Sequence, residues 1–265
     1  MRPGRHWRKT LTNRIYVPPR VSIVILFVVG LFVWELGSGR ISTVLLSPPS
    51  EIASAFYRIL SGGVSIPGGG FFHHVEVTLY EILASYALAI AVGVLIAFTM
   101  LASKLLEDVL EPLLYVFHAI PTIILYPMIY LIVGLGSGSK IAMGVLMGFF
   151  PIAMNTLAGI REIDKLWVSA AKCMGANFRQ VALKVILPAS APVVVTGLRM
   201  GLAGCIIGVV VAEMIAGYAG IGWLIDWASF LFQTPLLYSF IVVAIIIAVS
   251  GNGLYMLLEN RFVKG

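Results

Sequence analysis

Residues 82–103, 112–139 and 141–160 contain no Asp, Glu, Lys or Arg. About 20 apolar residues carry a helix across the hydrocarbon core of a bilayer. Inside that core each backbone N–H and C=O must find its partner within the protein, which an α-helix achieves within one segment. The chain as a whole is 60% hydrophobic and 11% charged, against roughly 25% charged residues in a soluble domain. It has too few charges to cover a water-soluble fold of this size. The expected fold is therefore all-α: a polytopic membrane helix bundle with about six transmembrane helices. Three further spans complete it: 21–39 with Glu35 near its outer end, about 190–212 with Arg199 inside, and one in the second half of the charge-free stretch 227–258. Span 21–39 has the shortest apolar run, so a signal peptide is its rival reading. The long basic head before it, and the lack of a clear small-x-small cleavage site after it, favour a retained span.

Lys and Arg concentrate on the cytoplasmic side of membrane proteins. With the N-terminus inside, Arg2, Arg5, Arg8, Lys9, Arg14, Arg20, Lys104, Arg161, Lys165, Lys172, Arg179, Lys184, Arg261 and Lys264 all fall inside. Only Arg40, Arg58 and Lys140 fall outside, and Arg199 lies within the membrane. Six spans with both termini in the cytoplasm fit that split. The chain divides into a basic cytoplasmic N-terminal segment, 1–20, and a transmembrane domain, 21–265, that carries one large cytoplasmic loop, 161–188. The net charge of +6 then reflects topology and attraction to anionic lipid. Nucleic acid is a poor partner for it, because the basic residues are dispersed and no aromatic-interleaved patch accompanies them.

Short elements lie between the spans. Residues 47–60 read as an outer helix, with Ser50 as cap and Ile52, Phe56 and Ile59 or Leu60 at helical spacing. The Gly-rich stretch 62–70 reads as a turn. Gly217-Tyr218-Ala219-Gly220-Ile221-Gly222 reads as a second turn, followed by a short amphipathic stretch, Trp223–Phe232.

The loop 161–188 is the most informative segment. Small residues at Ala170, Ala171 and Gly175 let another protein surface approach closely. Gly175 also has the conformational freedom to turn one short helix into the next. Pro188 can begin the following span, where its missing N–H costs nothing. An ordinary basic amphipathic loop has the same composition; the spacing distinguishes the two. Ala170-Ala171, then Gly175, then Val185, Leu187 and Pro188 resemble the "E-A-A, three residues, G, nine residues, I-x-L-P" loop of inner-membrane permease subunits of bacterial ABC importers. Val185 replaces the usual Ile, and Ser169 stands where that family often has Glu. Leu46–Ser50, His74 with Thr78-Leu79, Ile120-Pro121, Phe149–Ile152 with Asn155-Thr156, Gly159–Arg161, Gly197–Arg199, Ala212-Glu213 and Gly220–Gly222 are similar to the branch importing nitrate, bicarbonate, taurine, aliphatic sulfonates and related molecules.

The resemblance implies a type I importer permease fold. It also implies a second permease copy forming a homodimer, two ATPase subunits that bind ATP and Mg, and an extracytoplasmic solute-binding protein. Ser169, Ala170, Ala171, Gly175, Ala176, Val185, Leu187 and Pro188 would then couple to the ATPase. Substrate would be a small, anionic organic or inorganic solute of the sulfonate, taurine or nitrate type, or, in other members, a neutral or aromatic one.

Polar groups within a bilayer carry a functional prior. Arg199 and Glu213 are 14 positions apart, which on one helix places them on a shared face about 21 Å apart. His118, Pro121, Asn155 and Thr156 join them as candidate pathway residues. Gly197, Gly201, Gly204 and Gly208 favour close helix packing, with a dimer seam as a special case. His73, His74 and Glu76 match no metal-ligand spacing and read as the start of a helix at the interface. Cys173 and Cys205 form no disulfide framework. The Gly-rich segment 134–140 lacks phosphate-loop spacing, and no converging acid, base and nucleophile is seen. The chain is thus expected to hold no cofactor or metal and to be no enzyme. The rival transport reading is an ATPase-independent secondary transporter, but neither inverted repeats nor ion-coupling carboxylates are evident. A membrane scaffold leaves the loop spacing unexplained.

Overall fold

The computed structural model describes residues 19–39 and 45–263. The predicted basic segment up to residue 18, with Arg40 and Lys264, lies outside them, as do the side chains of Arg20 and Arg261. The described residues are helical almost throughout, in eleven α-helices: α1 Pro19–Ser38, α2 Pro49–Leu60, α3 Phe71–Ala102, α4 Lys104–Ala119, α5 Tyr126–Val133, α6 Ser137–Arg161, α7 Lys165–Cys173, α8 Phe178–Val181, α9 Leu187–Ala216, α10 Ile221–Phe230 and α11 Thr234–Val263. Five unbroken helical segments are long and apolar enough to cross a membrane.

The expected third span, 112–139, is broken. It starts earlier, at Lys104, and α4 meets Thr122–Val133 at 89°. Proline disfavours helical geometry in the residue before it, and Ile120 is accordingly extended, with φ −74° and ψ 130°. Pro121 follows, and a short 3-10 turn, Thr122–Leu125, redirects the chain into α5. The six expected spans are thus five unbroken ones plus this bent pair. The second span is also longer than the charge-free stretch, because α3 begins at Phe71 and takes in His73, His74 and Glu76.

The centre of the bundle is the α6–α9 pair, with α3 against both. Lipid tails are as apolar as Leu, so contact between spans depends on close packing and small residues more than on hydrophobic drive. The glycines of α9 supply that closeness. A Cβ on Gly208 would lie 3.0 Å from the Gly144 Cα, and one on Gly201 would lie 2.5 Å from Ile152 Cγ1. A Cβ on Gly148 would strike Cys205 Sγ. Pro151 has no N–H to offer the Met147 carbonyl four residues back, and Gly204 is the residue that lies against that carbonyl. This glycine face is therefore filled by α6 of the same chain, so it is not the seam for a second copy.

The outer elements pack differently. α2 lays Ala55 and Ile59 into a core with Leu224, Leu236 and Phe240, and Ile52 is buried on the same helix. Ser50 does not cap it: the cap position is Pro48, with no side-chain bond. The Ser50 hydroxyl instead donates to Glu35 Oε1 at 2.7 Å, and its N–H to Oε2 at 3.1 Å. That bond and an edge-on Trp34–Tyr238 ring contact attach α1, whose apolar side chains, such as Phe27 and Phe32, are otherwise exposed.

Candidate coupling loop and pathway residues

At one end of the bundle, α7 and α8 are two short helices joined by a tight turn at Met174–Ala176. Asp164 starts α7 by accepting a bond from the Leu166 N–H at 2.9 Å. Gly175 ends it with φ +83°, a conformation that costs other residues roughly 1–2 kcal/mol. The Gly175 and Ala176 N–H groups close the turn on the carbonyls of Lys172 and Ala171. Asn177 then opens α8 through a reciprocal capping box with Gln180: Asn177 Oδ1 accepts from the Gln180 N–H at 2.8 Å, and Gln180 Oε1 from the Asn177 N–H at 2.9 Å. No atom lies within 4 Å of the place a Gly175 Cβ would occupy, so the turn faces open space.

Large apolar side chains stand out from this loop. Leu166, Trp167, Met174 and Phe178 are all exposed, Met174 to 87%. Ser169 and Ala170 are exposed as well, and Ala171 and Ala176 half-buried. Val185, Leu187 and Pro188 sit elsewhere, in the helix that leaves the loop. There the chain passes through a π-helical segment, Ala182–Ile186, in which the Leu187 N–H reaches back to the Ala182 carbonyl. Such a bulge shifts the hydrogen-bond register just where Pro188 has no N–H to contribute, so the helix continues from Phe178 to Ala216 without a break.

The six pathway candidates do not converge. His118 and Pro121 are exposed at the α4 bend, and the His118 ring sits 6.0 Å from that of Phe150. Asn155 turns back on its own helix and donates to the Pro151 carbonyl at 2.8 Å. It also approaches Met200 Sδ at 3.7 Å, which places it near Arg199. Thr156 is buried. Arg199 is exposed and forms no ion pair or hydrogen bond among the described residues. It lies twelve residues into α9, or about 18 Å along the axis.

Glu213 is wholly buried and belongs to a polar cluster at the far end of the bundle. α10 starts with three consecutive N–H groups, each taken by a side chain from another helix. Gly220 donates to His74 Nδ1 at 3.0 Å, Ile221 to Thr78 Oγ1 at 2.8 Å, and Gly222 to Glu213 Oε2 at 2.7 Å. The Thr78 hydroxyl in turn donates to Glu213 Oε1 at 2.7 Å. Because His74 Nδ1 accepts, its proton is on Nε2, which donates to the Pro67 carbonyl at 2.9 Å. Glycine at 220 and 222 is a steric requirement: a Cβ at 220 would overlap the Glu213 carboxyl, and one at 222 the Val210 carbonyl oxygen. Sequence reasoning missed Glu81, which is 1% exposed and stands beside Glu213. His74, Thr78 and Glu81 recur at i, i+4 and i+7 on α3, a spacing visible in the sequence.

A family model described as "Binding-protein-dependent transport system inner membrane component" matches residues 89–264. The chain belongs to this family. It is an ABC importer permease subunit; such permeases are not themselves enzymes, and ATP is hydrolysed by partner ATPases. Among its relatives is the putative aliphatic sulfonates transport permease protein SsuC of Bacillus subtilis (strain 168), 29% identical over 99% of this chain and 90% of that protein. The taurine transport system permease protein TauC of Escherichia coli (strain K12) is 29% identical over 91% of this chain and 86% of its own length. The riboflavin transport system permease protein RibX of Chloroflexus aurantiacus is 32% identical over 93% and 90%. The inward-facing structure of the MetNI methionine ABC transporter shares the fold, with TM-score 0.57 and 20% identity over 80% of this permease and 94% of that chain. The permease is a multi-pass membrane protein, in line with its apolar helices.

Proposed function

We propose that this permease, as a homodimer, forms the translocation pathway of an importer for a small anionic solute of the sulfonate, taurine or nitrate type. An extracytoplasmic binding protein delivers the solute, and two ATPase subunits, holding ATP and Mg, drive the cycle. The observation that carries the coupling part is the α7–Gly175–α8 turn. Its helices are capped by Asp164 and Asn177, the turn at Gly175 faces open space, and it presents Leu166, Trp167, Met174 and Phe178 to the surroundings. Exposed apolar groups on the polar side of a membrane protein mark a protein contact. The coupling residues are Ser169, Ala170, Ala171, Gly175 and Ala176, with Val185, Leu187 and Pro188 transmitting into α9. The Lys/Arg distribution supports a cytoplasmic side for this loop and both termini.

ATP-driven closure of the ATPases moves α7 and α8, and the bundle alternates between inward- and outward-facing states. ATP and loaded binding protein act together to the extent that both favour the same state. Arg199, exposed without a partner midway along α9, supports an anionic solute, since an unpaired charge at that depth must face water or a partner. The riboflavin relative supports a second reading, a larger aromatic solute.

The test is co-purification with a co-expressed partner ATPase, comparing wild type with Gly175→Arg. A stable wild-type complex and weakened association, or uncoupled hydrolysis, in the variant is expected. A wild-type chain that retains no ATPase, or a Gly175→Arg variant that changes neither association nor hydrolysis, overturns the coupling role of this loop. For the solute, deletion of this chain should abolish growth on taurine or an alkanesulfonate as sole sulfur source. Unchanged growth with lost riboflavin uptake would favour the second reading.

A further inference from the structure

Arg161 is the last residue of α6 and lies just before the Asp164 cap of α7. Its guanidinium forks between two carboxylates one turn apart on α4. Nη1 and Nη2 donate to the two oxygens of Glu111 at 2.7 and 2.5 Å, and Nη2 and Nε donate to Glu107 Oε1 at 2.6 and 3.2 Å. Lys104 flanks the pair, at 3.2 Å from Glu107 and 3.1 Å from Asp108. Apart from this fork, the helix packs through Leu114, with Leu110 beside it, against Met100 and Phe150. Of the sixteen residues of α4 only Leu114 is buried, and its far end runs into the 89° break at Pro121. Glu107 and Arg161 also line, with Lys165, Ser169 and Lys172 of α7, a single cleft of about 610 Å³ beneath the projecting loop.

We propose that Arg161 is a positioning residue that links the coupling loop to α4, so that displacement of α7 is passed to the bent α4–α5 pair. A planar fork with two acceptors fixes direction as well as distance, which a single lysine contact does not. As an isolated surface ion pair the cluster would contribute little to stability. Its geometric role is larger, because it joins a loosely packed helix of the bundle to the segment that leads into α7. This inference rests on the coupling reading above.

The experiment is hydrogen–deuterium exchange of the permease–ATPase complex in detergent, with and without Mg-ATP and vanadate. Wild type, Arg161→Met and Glu107→Gln/Glu111→Gln are compared. The expected wild-type result is a nucleotide-dependent change in segment 165–181 and in segment 104–119. In both variants the complex still assembles and the change at 165–181 persists, while the change at 104–119 falls about tenfold, within the usual range of allosteric couplings. A purely stabilising role would alter exchange equally with and without nucleotide.

A variant response at 104–119 equal to that of wild type overturns the proposal. So does a wild type in which 165–181 responds and 104–119 does not. Failure of both variants to assemble overturns it too, since the fork would then serve folding. A wild-type complex with no change at 165–181 sinks the coupling reading, and this inference with it.

Discussion

The Glu213 carboxyl group of α9 accepts the backbone N–H of Gly222 in α10 at 2.7 Å, nine positions further along the chain. One buried side chain thus serves as a cap for a helix it does not belong to, while Thr78 holds its other oxygen. A side-chain amide at 213 offers one acceptor oxygen where two are used. Glu213→Gln should therefore leave a buried donor unpaired, at about 1–3 kcal/mol, and Glu213→Ala should cost more. Thermal unfolding in detergent measures both. A Glu213→Gln protein as stable as wild type would mean that this cap is dispensable.

Glycine positions give a graded test of the α6–α9 contact. Gly148→Ala puts a methyl group onto Cys205 Sγ, and Gly204→Ala sets one 2.5 Å from the Met147 carbonyl oxygen. Each should lower stability by about 1–3 kcal/mol, the range for overpacking. Gly253 on α11 has nothing within 4 Å, so Gly253→Ala should be neutral or slightly stabilising. Equal effects at all three sites would argue against the close contact.

Removing the Asn177 cap should loosen α8 without altering the bundle. Asn177→Ala is expected to cost about 1 kcal/mol locally. The readouts are faster hydrogen exchange in 177–186 and a weaker ATPase complex, with overall unfolding unchanged. Unaltered exchange in that segment would show that the cap does not hold the loop.

Water reaches Arg199 if that residue lines a pathway. In a Cys173→Ser background, Arg199→Cys should react with a charged thiosulfonate, whereas Leu83→Cys, exposed among the apolar side chains of α3, should not. The buried native Cys205 should stay silent. An Arg199→Cys protein as unreactive as Leu83→Cys would place residue 199 in a dry contact.

The spans were legible because a missing charge over 20 residues has few explanations besides lipid. In the third, Pro121 made a kink readable, since proline inside a span frees a carbonyl, but the extent of the break was not. Hydropathy records what a segment is made of and not which way it runs, and α4–α5 stays apolar through its 89° turn. Ser50 shows a second limit. Its local context made it a cap, but Glu35, fifteen residues upstream, takes its hydroxyl, and local spacing does not reveal such a partner. The turn at Gly175 was readable, since the φ of +83° is what glycine is suited to supply. The α9 glycines announced a close neighbour without naming α6. Glu81 was passed over because it sits one residue before a charge-free stretch; the His74, Thr78, Glu81 face it completes is a pattern of spacing, which a search for uninterrupted apolar runs discards.

From Phe178 to Ala216 the backbone is a single rod of 39 residues, nearly 60 Å at the α-helical rise. Its lower end is the second half of the projecting loop, and close to its upper end is Glu213, on which α10 is seated. A rod of this kind transmits rotation. If the proposed coupling holds, a few degrees of twist applied at α8 would arrive at the opposite face of the membrane with no relay of side chains between. Its hydrogen-bond ladder is widened at Ala182–Ile186 and lacks a donor at Pro192, so a twist passed along it would be taken up first at those two places.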